Sequence, residues 1–117
     1  MNKPIIALIG NPNSGKTAIF NLLTGLSQKV SNYPGITVDR KLGSVSHNNI
    51  QFDLLDFPGT YSITPETIDE QIVSEQILGW IHNPKLRPNA IISVIDASNL
   101  SRNLFLTSQI AELGIPI

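Results

Sequence analysis

The chain has 117 residues and no cysteine, and eight basic against nine acidic side chains leave a formal net charge of −1. That length suits one domain around one core, and the charge argues against a nucleic-acid surface or an anionic membrane as partner. The absence of cysteine excludes disulfides, thiolate metal sites and thiol catalysis. No stretch reaches the roughly 18 uninterrupted apolar residues of a membrane-spanning helix. Met1-Asn2-Lys3-Pro4 and the short apolar run after it do not read as a signal peptide, because polar Asn11 and Asn13 follow at once.

In chain order, Ile5 to Ile9 is a continuous apolar run, the pattern of a strand buried on both faces of a parallel sheet. A glycine-bearing loop leads to a predicted helix over Lys16 to Thr24, with Ile19, Leu22 and Leu23 on one face and Gly25 at its C-terminal cap. Ser27 to Val38 lacks periodicity, carries Asn32, Pro34 and Gly35, and reads as a mobile loop. Arg40 to Ser46 and Ile50 to Asp56 read as strands joined by a tight hairpin at Asn48-Asn49, a pair that tolerates positive φ. Phe57 to Pro65 reads as a second irregular loop with no hydrophobic stripe to pin it. Thr64-Pro65 offers an N-cap and a first-turn proline for a helix whose inward stripe is Ile68, Ile72, Val73, Gln76, Ile77 and Trp80. Asp69, Glu70 and Glu75 read as its solvated face. Ala90 to Ile95 is another apolar strand, ending in Asp96. Ser101 to Leu113 is a helix with Leu106, Ile110 and Leu113 inward and Gly114 at its end. The alternation predicts an α/β fold, a mostly parallel sheet with one antiparallel strand and helices on both faces. The chain stops at Gly114-Ile115-Pro116-Ile117, where a strand begins, so residues 1–117 are expected to be one domain incomplete at its C-terminus.

Gly10-Asn11-Pro12-Asn13-Ser14-Gly15-Lys16-Thr17 matches the phosphate-loop pattern G-x-x-x-x-G-K-[ST] at every fixed position. Glycines let successive backbone N–H groups converge on phosphate oxygens, and the helix starting at Lys16, which continues through Ala18, aims its positive end at the same anion. Lys16 brings a charge to the outer phosphates, and the Thr17 hydroxyl can ligate Mg²⁺. Asp56-Phe57-Pro58-Gly59 gives D-x-x-G about forty residues beyond the lysine. There Asp56 can hold Mg²⁺ through water and the Gly59 N–H can sense a γ-phosphate. Thr37, in the loop between the two motifs with Gly35 and Ile36, is the hydroxyl expected to complete the Mg²⁺ shell when a γ-phosphate is present. Lys16, Thr37 and Gly59 are thus the expected catalytic groups of a P-loop NTPase resembling a Ras-like G domain.

With these elements placed, the chain resembles the cytosolic N-terminal G domain of the ferrous iron transport protein B (FeoB) family. The stretches that carry the resemblance are GNPNSGKTAIFNLLTG, SNYPGITVDRK, LLDFPGTYSI, VIDASNLSRNLFL and ELGIPI. The resemblance implies GTP and GDP as ligands and hydrolysis that regulates Fe²⁺ uptake. It also implies an attached membrane transporter region and a place on the cytoplasmic side of the bacterial inner membrane. The family's guanine-reading motif is not present in these residues, so guanine specificity is implied by the resemblance alone. It further implies that Asn13 helps to hold K⁺ beside the phosphates; a local turn hydrogen bond is the other reading of Asn13. Thr60 stands where Ras-like enzymes carry a water-positioning glutamine, which implies slow, K⁺-stimulated turnover. Homo-oligomerisation is left open.

His47 and His82 read as solvent-facing residues rather than iron ligands, and Trp80 as a core or interface anchor. Tyr33 either packs over the nucleotide or anchors its loop. Two other classes fit parts of the pattern: a soluble ribosome- or RNA-associated GTPase, and a nucleotide-binding regulatory module in which hydrolysis is incidental.

Overall fold

Five strands form one sheet in the order β2-β3-β4-β1-β5, in a computed structural model that describes residues 4–12, 14–25, 28–31, 40–61 and 68–117. The strands are β1 (Ile5–Gly10), β2 (Gln28–Ser31), β3 (Arg40–His47), β4 (Ile50–Asp56) and β5 (Ala90–Val94). β1 pairs in parallel with both β4 and β5, whereas β3 is antiparallel to both of its neighbours. β3 is therefore the one strand running against the other four, as the sequence pattern predicts. It is reversed because it meets β4 through a two-residue hairpin, with Asn48 at φ 49° and Asn49 at φ 67°. β2 is a finding the sequence reading missed. Gln28–Ser31 pairs with residues 40–43 as the sheet's edge, where the reading placed a loop from Ser27 to Val38. Four residues, of which only Val30 is apolar, are too few to show a period.

The helices are α1 (Lys16–Thr24), α2 (Ile68–His82) and α3 (Leu100–Ala111). Ala7 and Ile9 of β1 join Leu55, Ile91 and residues of α2 and α3 in one core cluster; Leu8 joins Phe20, Val45, Leu54 and Val94 in the other. The strand's alternation thus feeds two layers, with α1 on one face and α2 and α3 on the other.

α1 has the predicted bounds, closed by Gly25 at φ 61°, but a different inward face. Lys16, Phe20 and Thr24, four residues apart, are buried, while Leu22 is 81% exposed and Leu23 38%. Thr24 can be buried because its hydroxyl donates to the Phe20 carbonyl at 2.8 Å. β3 makes room for it with Gly43, where a Cβ would lie 2.2 Å from Thr24 Cγ2. In α2, Val73, Gln76, Ile77 and Trp80 face inward as expected, but Ile68 is exposed and Glu70 is buried. At 100° per residue Ile68 stands about 140° from Val73 and Glu70 only about 60°, so Glu70 shares the buried stripe. Glu75 is exposed as expected, and the side chain of Asp69 lies outside the described ones. Thr64 and Pro65 also lie outside the described residues.

α3 ends at Ala111, two residues before the predicted Leu113, with Leu106 and Ile110 buried. Beyond it Ile115 is buried, and the Ile91 N–H donates to the Pro116 carbonyl at 2.8 Å, so the chain returns beside β5. Trp80 is a core anchor, packed edge-to-face on Phe57 with ring centroids 5.6 Å apart. No helix among the described residues is long and apolar enough to cross a membrane.

Candidate functional site: a phosphate cradle closed by a strand-end loop

The cradle forms where β1 ends and α1 begins. Gly10 must be glycine because a Cβ there would lie 2.9 Å from Ser14 Oγ and 3.1 Å from the Val94 carbonyl. The loop turns on a hydrogen bond from the Ser14 N–H to the Asn11 carbonyl at 3.2 Å. It then passes through Gly15 at φ 94°, a conformation that glycine adopts without steric cost. From there the chain enters α1, whose free N–H groups open on the cradle. A cavity of about 370 Å³ lies at this helix end, lined by Asn11, Pro12, Gly15, Lys16, Thr17, Ala18 and Gly59.

Register brings the second motif to the same place. Leu8 of β1 stands opposite Asp56 at the end of β4, so the aspartate arrives beside the phosphate loop. Its Oδ1 accepts from Lys16 Nζ in an ion pair whose side chains are 9% and 15% exposed. The next residues stay attached to β1: the Phe57 N–H donates to the Leu8 carbonyl at 3.2 Å and the Thr60 N–H to the Gly10 carbonyl at 3.0 Å. Gly59 lies against Pro12, so closely that a Cβ would meet Pro12 Cα at 2.9 Å and its nitrogen at 3.0 Å.

For Phe57 to Tyr61 this corrects the reading of Phe57 to Pro65 as a loop with nothing to pin it; residues 62–65 lie outside the described residues. Phe57 is 2% exposed in the core and Thr60 1%. Thr60 therefore cannot present its side chain to the cavity in the manner of the missing glutamine. Tyr61 is held under Arg102 of α3, with the guanidinium carbon 4.0 Å from the ring centroid. The reading did not single out that pair, and local sequence carries no sign of it.

The structure thus brings Gly10, Asn11, Pro12, Ser14, Gly15, Lys16, Thr17, Ala18, Asp56, Phe57, Pro58 and Gly59 to one end of the sheet. Phe57 contributes from the core rather than from the cavity wall. Asn13, Gly35, Ile36, Thr37 and Tyr33 lie outside the described residues. A hydroxyl at Thr17 and a carboxylate at Asp56 are hard oxygen donors, so the donor chemistry fits Mg²⁺ completed by water and phosphate. His47 and His82 are exposed, and the described residues hold no group of three or more His, Cys, Asp or Glu able to bind a metal. Asn11 was expected only as part of the backbone cradle. Its side chain is 3% exposed, and neither amide atom has a hydrogen-bond partner among the described residues.

The family model described as ferrous iron transport protein B matches residues 4–117. The chain belongs to the ferrous iron transport protein B family. It is 51% identical over 120 residues to the Fe(2+) transporter FeoB of Shigella flexneri and, equally, to that of Escherichia coli (strain K12). Those matches take in 99% of the chain but only 15% of each relative, so the chain spans about one seventh of their length. Among solved structures, the G domain of the T. maritima FeoB iron transporter is 38% identical with a TM-score of 0.78, covering 96% of this chain and 67% of that one. An S. thermophilus NFeoB mutant bound to mGDP is 46% identical with a TM-score of 0.79, covering 98% of this chain and 42% of that one. The fold is that of a FeoB G domain, a P-loop NTPase fold.

Proposed function

We propose that the chain binds GTP and GDP with Mg²⁺ and hydrolyses GTP, and that its nucleotide state controls ferrous iron uptake by a transporter region of the same polypeptide. The observation that carries this reading is the pairing of Lys16 with Asp56 beside a cavity that Lys16 and Gly59 both line. In such a site Lys16 exchanges its carboxylate partner for the β- and γ-phosphates, and the backbone N–H groups of residues 14–18 hold the remaining oxygens. Asp56, once released, would hold Mg²⁺ through water, and Thr17 would ligate it through its hydroxyl oxygen. Mg²⁺ when bound neutralises charge on the β–γ bridge. Gly59 would offer its N–H to the γ-phosphate, and Thr37 would complete the Mg²⁺ shell when that phosphate is present. Asn13 holds K⁺ beside the phosphates in this proposal, which rests on the family resemblance. The domain stands on the cytoplasmic side of the inner membrane, and residues 1–117 belong to one G domain.

Titration with a fluorescent GTP analogue tests the reading in the full-length protein. Lys16→Ala or Thr17→Ala is expected to weaken Mg-nucleotide binding by at least a hundredfold, about 2.7 kcal/mol. Unchanged affinity in both variants would sink the assignment.

A further inference from the structure

Asn11 is flanked on both sides by contacts to the loop that follows Asp56. The preceding residue, Gly10, accepts from the Thr60 N–H at 3.0 Å, and the following residue, Pro12, lies against Gly59. The loop therefore runs across Asn11, yet the Asn11 amide bonds to nothing among the described residues. Both amide atoms are sealed from solvent, so a ligand in the cavity does not satisfy them while the loop stays where it is. A buried amide left without partners opposes the arrangement that leaves it so.

Building on the proposed nucleotide site, we infer that Asn11 is a positioning residue for the triphosphate state. When the γ-phosphate draws the Gly59 N–H away from Pro12, the loop's backbone engages the Asn11 amide. The resting arrangement is raised by the unpaired amide, and the triphosphate arrangement is favoured by its pairing. Asn11 acts through the loop and not on the reacting atoms, so it shifts discrimination between nucleotides rather than the affinity common to both.

The test uses Asn11→Leu and Asn11→Ala in the full-length protein. Competition of Mg-GDP and a non-hydrolysable Mg-GTP analogue against a fluorescent GDP analogue is combined with thermal unfolding in the absence of nucleotide. Both variants are expected to lose about tenfold more affinity for the GTP analogue than for Mg-GDP, a difference of about 1.4 kcal/mol. Without nucleotide, Asn11→Leu is expected to melt no lower than the wild type, since an apolar group of similar size removes an unpaired buried amide. Equal losses for both nucleotides, or a clear fall in the melting temperature of Asn11→Leu, would overturn the inference. Should Asn11→Leu not fold, the nucleotide split in Asn11→Ala decides. Failure of the wild type to bind either nucleotide would count against the proposed function, and the melting comparison would still judge the unpaired amide.

Discussion

Lys16, Asp56 and Gly43 each answer a local physical demand, and only the first two could be read from a motif. Lys16 sits in the first turn of α1 with its charge 9% exposed, a position that is costly without a partner. Asp56 supplies that partner, and the contact links two motifs that spacing alone leaves forty residues apart. Gly43 belongs to no motif. It is glycine because Thr24 and Phe20 of α1 press on β3, with Thr24 Cγ2 at 2.2 Å, Thr24 Cβ at 2.9 Å and Phe20 Cζ at 3.2 Å from a Cβ built there. Gly43→Ala is therefore expected to destabilise the chain by about 1–3 kcal/mol, the usual cost of overpacking. Thr24→Ser in the same chain removes the nearest atom and is expected to recover part of the loss. Denaturant titration of the single and double variants checks both. An alanine variant as stable as the wild type would show that α1 lies farther from β3 than described.

Among the elements, the apolar runs of β1 and β5, the Asn48-Asn49 hairpin and the bounds of α1 were legible, because each has a strong local signature. The faces of the helices were less so. Leu22 and Ile68 were expected inside and are exposed, whereas Thr24 and Glu70 are buried. Burial there is decided by what lies across the interface, which is tertiary information. The loop after β4 shows the same limit, since one aromatic residue anchors it without any stripe. Phe57 packs edge-to-face on Trp80, so Phe57→Ala removes a fully buried ring and is expected to cost about 3–5 kcal/mol. Chemical denaturation gives that loss, and a cost under 1 kcal/mol would contradict the anchor. At the entry to α3, Asp96 accepts from the Ser98 hydroxyl at 2.7 Å and the Ser98 N–H at 2.9 Å. Those bonds hold its carboxyl below the ordinary 3.8. A depressed carboxylate adds stability above its unfolded pKa and loses it as pH falls through the folded value. Asp96→Ala is thus expected to be less stable at neutral pH and to converge on the wild type as pH falls through the carboxyl's folded pKa. A constant gap across the acid range would show that the cap does not titrate.

At the scale of the whole molecule, the cradle gathers β1, β4, α1 and the loop after Asp56 at one end of the sheet. The proposed nucleotide binding there would stabilise the entire domain by about 2.7 kcal/mol at a ligand concentration of 100 Kd. The phosphate-loop half of the candidate site was legible because phosphate chemistry demands fixed residue types at fixed spacing. How Gly59, Thr60 and Tyr61 rest on Pro12, Gly10 and Arg102 was not, since those contacts join segments far apart in the chain. The buried Thr60 offers the proposed hydrolysis no water-positioning side chain at that position, and added positive charge would assist as the β–γ bond breaks. A monovalent cation held by Asn13 is the proposed source, so GTP turnover in the full-length protein is expected to rise about tenfold or more when Na⁺ is replaced by K⁺. Each tenfold corresponds to about 1.4 kcal/mol of transition-state stabilisation, within reach of one partly desolvated cation. Asn13→Ala is expected to abolish the response while GDP affinity changes little, because the charge being answered develops mainly in the transition state. The measurement is phosphate release at saturating GTP in matched NaCl and KCl. Equal turnover in the two salts, or an Asn13→Ala protein that still responds to K⁺, would refute the cation's role and leave the phosphate cradle untouched.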